Sequence, residues 1–267
     1  MGIWHHDDRT DISENMDEQV KENAKSVVAI CAGNTLIREK VGIRNLRVKR
    51  YGETYNLCNH ELFHHQPAVA GRISTGFLVG ENLVATAGYC VDESNLTDLR
   101  FVFGYSMLES PELVTQIPNE NIYKGAEIVQ RVYHRKGNLS NWALVRLKDK
   151  VLGHPMVRLS KKKISLGQPV YAIGYPCGLP SKYVPGAYVR NIHEAYFVAD
   201  LDTFSGNGGS PVFASDTHEV LGIVVRGDNR DFRWNGKCWL SIIYPDYKTN
   251  SEGAHCTMGS EFINYCG

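Results

Sequence analysis

From position 27 onward, apolar positions fall into short runs, several of them alternating with polar residues, and Gly, Pro, Asn and Asp separate the runs at close intervals. In the first half they occupy 26–30, 76–79, 83–87, 99–103, 127–133 and 143–147. In the second they occupy 169–173, 187–190, 196–199, 212–213, 220–225 and 239–243. Such punctuation suits strands joined by turns rather than alternating strand and helix units. Sustained 3.6-residue periodicity is missing mid-chain, so the pattern predicts an all-β protein. Helices are expected only near the ends, within 14–27 and over 260–265.

A basic, turn-rich stretch around Ser160, Lys161, Lys162 and Lys163 splits the strand pattern. It divides the chain into an irregular arm over 1–25 and two strand-rich halves, 26–150 and 151–267. A second basic run, 38–50, reads as an exposed hairpin or edge strand whose charges discourage edge pairing.

Composition narrows function mainly by exclusion. Lys+Arg and Asp+Glu both total 29, so net charge draws the chain neither to nucleic acid nor to an anionic membrane. An apolar run of about 18 residues, which a membrane span needs, is absent. The opening residues lack the apolar stretch of a signal peptide, so either the chain stays in the cytoplasm or a leader has been removed. None of the seven cysteines shows paired CxxC spacing, and neither a metal nor a cofactor is expected. Cys238, Cys256 and Cys266 cluster near the end, where a local disulfide and buried reduced thiols are both open readings. His5 and His6 stand on an extended terminus facing opposite sides, a poor metal site.

Three segments carry the chemistry. Leu83-Val84-Ala85-Thr86-Ala87-Gly88-Tyr89-Cys90 follows the strand Ser74-Thr75-Gly76-Phe77-Leu78-Val79-Gly80. Asn141-Trp142-Ala143-Leu144-Val145-Arg146-Leu147 comes next, then Gly206-Asn207-Gly208-Gly209-Ser210-Pro211-Val212. In this order and spacing they resemble the "Thr-Ala-x-His-Cys", "Asp-x-Ala-Leu" and "Gly-Asn-Ser-Gly-Ser-Pro-Val" segments of trypsin-like serine proteases. Ile3-Trp4-His5-His6-Asp7-Asp8-Arg9 is similar to the opening of mature enzymes in the bacterial glutamyl-endopeptidase-like branch. The resemblance implies two six-stranded antiparallel β-barrels of chymotrypsin type, with the site in the cleft between them. It also implies a secreted or periplasmic location if a leader was removed.

Each segment lacks its reacting group. Tyr89 stands where the resemblance places the general base, Asn141 the orienting acid and Gly208 the nucleophile. A phenol with a pKa of about 10 is a poor base at neutral pH. Loss of the acid alone costs about ten-thousand-fold in rate. Ser205 and Ser210 flank Gly208, with hydroxyls expected to face away from the cleft and Ser210 expected to bond beneath the loop. Cys177 is the one thiol to test for reactivity.

Other parts of the implied site persist. The amides of Gly206 and Gly208 would form the oxyanion hole. Asp202 would floor a pocket suited to Lys or Arg of a bound peptide, or be an internally paired loop carboxylate. Val225, Arg226 and Gly227 would pair with a peptide backbone by strand addition. The expectation is therefore a non-enzymatic serine-protease homologue, a pseudoprotease that binds a peptide or protein ligand in the cleft. The rival is an endopeptidase cleaving after basic residues whose triad has been replaced.

Overall fold

In the computed structural model the predicted strands curl into two closed antiparallel barrels. It describes residues 2–108, 113–134, 140–227, 230–245 and 253–266. The first barrel contains β1 (Val27–Ala32), β2 (Ile73–Gly80), β3 (Leu83–Thr86), β4 (Leu99–Phe103), β5 (Ile122–Tyr133) and β6 (Asn141–Leu147). Its order is β4-β5-β6-β3-β2-β1, and β1 pairs back onto β4. The second contains β7 (Pro169–Gly174), β8 (Lys182–Ile192), β9 (Tyr196–Ala199), β10 (Pro211–Ala214), β11 (Val220–Arg226) and β12 (Ala254–Met258). They run β7-β10-β11-β12-β9-β8, and β8 closes onto β7. This is the all-β, two-barrel architecture that the resemblance implies.

Apolar side chains of both barrels merge into one core. Phe77, Phe101 and Leu144 of the first barrel belong to the same packed cluster as Tyr171, Phe213 and Ile223 of the second. The chain end ties the barrels further. The tail expected as a helix is two 3-10 turns, Gly259–Glu261 and Ile263–Tyr265, separated by Phe262 at a φ of −129°. That break lets the buried Phe262 ring dock on Phe77 and Trp142 of the first barrel. A helix does form in the expected N-terminal stretch, over Glu18–Lys25, where the Asp17 carboxylate accepts from the Gln19 amide at 2.8 Å.

Other differences have local causes. Trp239–Ser241 pairs with Phe232–Trp234 as a hairpin outside the barrel. The strand that closes the barrel is instead β12, whose Ala, His, Cys and Thr give little hydrophobic signal. Leu36–Lys40, which overlaps the start of 38–50, forms the edge of a small three-stranded sheet. The disulfide joins Cys58 to Cys238, tying the hairpin to a loop of the first half rather than to the C-terminal cysteines. Cys256 and Cys266 are free.

The arm is ordered rather than irregular. Ile3–Trp4 runs parallel to Ile243–Tyr244, and Thr10–Asp11 adds an edge strand to β8 opposite Lys182 and Tyr183. Buried charge holds it there. The Lys182 ammonium, fully removed from solvent, donates to Asp11 at 2.5 Å and to Gln66 Oε1 at 2.8 Å. Arg9 pairs with Asp7 at 2.7 Å, its guanidinium 4.2 Å from the centre of the Phe204 ring and 5.5 Å from that of Phe63.

Candidate functional site

The loop from Ser205 to Ser210 is built by backbone bonds to both barrels. The Thr75 amide donates to the Gly208 carbonyl at 2.9 Å, and the Thr75 hydroxyl donates to the Gly206 carbonyl at 2.8 Å. The Gly209 amide reaches the Val224 carbonyl on β11 at 2.8 Å. Gly206 and Gly209 have φ values of +101° and +93°, a conformation that side-chain-bearing residues rarely adopt. A Cβ at Gly206 would also overlap the Tyr175 carbonyl, and one at Gly209 the Thr75 carbonyl. Loop shape therefore depends on glycine at both positions.

Gly208 is constrained differently. A Cβ there would overlap the Tyr89 hydroxyl, so the phenol fills the space that a side chain at 208 would take. The Tyr89 ring packs edge-on against Tyr133, with centroids 6.4 Å apart, and its carbonyl accepts from Arg72 at 2.8 Å. Burial pushes the phenol's pKa further above its ordinary value, away from that of a general base. Asn141 opens β6, and its amide donates to the Thr257 hydroxyl at 3.0 Å. Its side-chain oxygen is buried without a hydrogen-bond partner and borders Gly88, the residue before Tyr89. Tyr89, Asn141 and Gly208 thus gather at the junction of β3, β6 and the loop.

Neither the Gly206 nor the Gly208 amide donates to an acceptor among the described residues. The Ser210 hydroxyl lies beneath the loop beside Gly174, next to the Asn207 side chain. It has no hydrogen-bond partner there, in contrast to the structural bond expected of it. The Ser205 amide donates to Asp231 at 3.1 Å. Cys177 is buried, its thiol 3.9 Å from the Asp231 carboxylate, and burial followed by that charge raises its pKa. A thiol held protonated in this way does not suit the reactive role considered for it.

Asp202 is covered by the N-terminal arm. Only 4% exposed, it accepts the Trp4 amide at 2.7 Å and shares a hydrogen bond with Asp8. Burial, with Asp8 and Asp7 close by, raises its pKa to about 8 against the opposing pull of the Trp4 amide and Arg9. Asp8 is raised as well, chiefly by burial, with His6 working the other way. An acid with a raised folded-state pKa contributes its full stability below about pH 4. That stability is lost as pH climbs towards 8, by up to about 1.4 kcal/mol per pH unit. Asp202→Asn keeps an acceptor for Trp4 and removes the charge. Urea unfolding at pH 4 and pH 8 should show a gain at pH 8 and little change at pH 4; an unchanged pH slope would contradict this assignment.

At the end of β11 the two edges differ. Val224 is the last residue bonded towards β10, its amide donating to the Ser210 carbonyl at 2.9 Å. Beyond it, residues 225–227 have no strand partner on that side among the described residues, while Arg226 still pairs with His255 on β12. Val225 is buried, Arg226 exposed and Gly227 half-buried. Beside the loop lies an aromatic trough of about 960 Å³, lined by Tyr55, Ser205, Asp231, Phe232, Trp234 and Trp239. The two tryptophans keep 49% and 39% of their surface exposed. Sequence reasoning missed this trough; the concentration of Phe232, Trp234 and Trp239 in one short stretch was the available signal.

The sequence profile described as "Trypsin-like peptidase domain" matches residues 74–223, more than half of the chain. Among solved structures, an inactive-form mutant of Rv3671c from M. tuberculosis superposes with a TM-score of 0.54 at 14% identity. The match covers 93% of this chain and 88% of that one. The active form of the Rv3671c protease matches with a TM-score of 0.53 at 14% identity, covering 92% and 81%. These findings correct the expectation of a non-enzyme, because the matched family is one of peptidases and a structure of like fold is an active-form protease.

Proposed function

Because the chain belongs to the trypsin-like peptidase family, we propose that it captures an extended peptide or protein segment at the mouth between its barrels. The segment lies along the unpaired edge of residues 225–227, with its side chains in the aromatic trough. The observation that carries this reading is the pairing of an open strand edge with an adjacent trough of exposed tryptophans. Main-chain bonds to such an edge give affinity, and pockets beside it give side-chain preference. Exposed Trp and Tyr are the residues that most often dominate binding energy at interfaces. The opening segment, residues 3–9, supports a place beside the glutamyl-endopeptidase-like branch.

The family's acyl-transfer route has no hydroxyl to use at 208, no base at 89 and no carboxylate at 141. Cleavage after basic residues draws no support from Asp202, which the arm closes off. Binding of an oriented library of fluorescent decapeptides to the purified protein tests the reading. Trp234→Ala/Trp239→Ala should weaken binding at least tenfold while thermal stability changes little. Binding that ignores both substitutions would remove the trough from the account.

A further inference from the structure

The geometry points to a second binding site, for a single-chain amphiphile with an anionic headgroup, at the end of β11 away from the loop. A half-open cavity of about 630 Å³ lies between the inter-barrel linker, the start of β11, the end of β12 and the C-terminal turns. Its wall includes Leu221, Met258 and Ile263, and Lys161, Lys162 and Lys163 stand together along its margin. This volume falls in the range of about 300–1,000 Å³ typical of small-molecule sites.

Side-chain chemistry selects the ligand. Among the described residues the lining contains no Asp or Glu, so the three ammonium groups set the sign of the entrance in a chain whose overall charge is zero. Glu261, on the neighbouring turn, accepts instead from the Ser140 hydroxyl at 2.8 Å. Aliphatic side chains make most of the wall beside Ser260 and Asn264, and no aromatic ring lines it among the described residues, so it suits an alkyl chain better than a nucleobase. The linker is fixed rather than loose. Leu159 bridges Val220, and the Ser160 amide donates to the Val220 carbonyl at 2.9 Å. The lysines are exposed and hang from this anchored stretch, where they can reach a headgroup while the tail enters the cavity.

This site is independent of the peptide cleft. Titration calorimetry with decanoate, dodecanoate and tetradecanoate, below micelle-forming concentrations, should show one saturable site. Affinity should rise about fourfold per added methylene until the cavity is filled. Dodecanol should bind at least tenfold more weakly than dodecanoate, and dodecyltrimethylammonium should not bind. The surface variant Lys161→Ala/Lys162→Ala/Lys163→Ala should lose at least tenfold in dodecanoate affinity with its melting temperature unchanged. Ile263→Glu should abolish binding through the wall. Absence of saturable binding, or an unchanged affinity in the lysine variant, would overturn the proposal. So would association seen only with phosphatidylglycerol vesicles, which would indicate a lipid surface in place of a cavity.

Discussion

Gly208→Ser lowers stability by roughly 1–3 kcal/mol, and Tyr89→His in the same chain removes most of that loss. The reason is steric. A Cβ at 208 would occupy the position of the Tyr89 hydroxyl, and Tyr89 is not a flexible end that swings aside. Its ring packs on Tyr133, and the Arg72 guanidinium holds its backbone. Histidine is shorter and lacks the phenolic oxygen, so the pair fits where the single change does not. A double-mutant cycle in urea should give a coupling energy of about 1–2 kcal/mol in favour of the pair. Additive effects would mean that positions 89 and 208 are not mutually fitted.

Lys182→Met costs about 3–5 kcal/mol, because it leaves the Asp11 carboxylate buried without its cation. The Gln66 side-chain amide, 2.6 Å from Asp11, satisfies one oxygen but supplies no charge. Adding Asp11→Asn should recover a large part of the loss, since removing both charges also removes their desolvation. Thermal denaturation of the single and double variants checks the sign and the recovery. The effect should extend beyond stability. Asp11 and Lys182 face each other where the arm joins β8, and the same arm delivers the Trp4 amide to Asp202. Hydrogen exchange at the Trp4 amide should therefore quicken in Lys182→Met. Unchanged exchange would show that the two anchor points act separately.

Strand-forming runs and turn residues are local signals, and most of the barrel can be read from them. The β4 and β9 bounds coincide with the apolar runs at 99–103 and 196–199. β12 could not be read this way. It is buried along most of its length between β11 and β9, and its small and polar residues carry no alternation. The run at 239–243 looked like a barrel strand because Trp, Leu and Ile are good strand formers. In the structure, part of it is held in a side hairpin that a disulfide fastens to the first half. A cross-link of 180 residues' separation leaves no trace in local pattern.

The same division holds at the site. Tyr89, Asn141 and Gly208 were legible because each sits inside a recognisable segment. Their packing was not, since the contact of a phenol with Gly208 is made across a long sequence separation. For a related reason the sequence left Asp202 open between a pocket floor and an internally paired carboxylate. Its partners, Trp4 and Asp8, arrive from an arm whose polar sequence suggests a loose terminus. Long-range burial of charge, not local propensity, orders that arm.

The most direct test of the central claim, that the mouth between the barrels recognises an extended peptide, is a binding isotherm. Oriented decapeptides are titrated into the intact protein with the fluorescence of Trp234 and Trp239 as readout. The account predicts saturable binding with a tryptophan signal change, and binding of fluorescent decapeptide at least tenfold weaker in Trp234→Ala/Trp239→Ala. Absence of saturable binding by any library pool, in a protein with its disulfide formed and its unfolding cooperative, would contradict it.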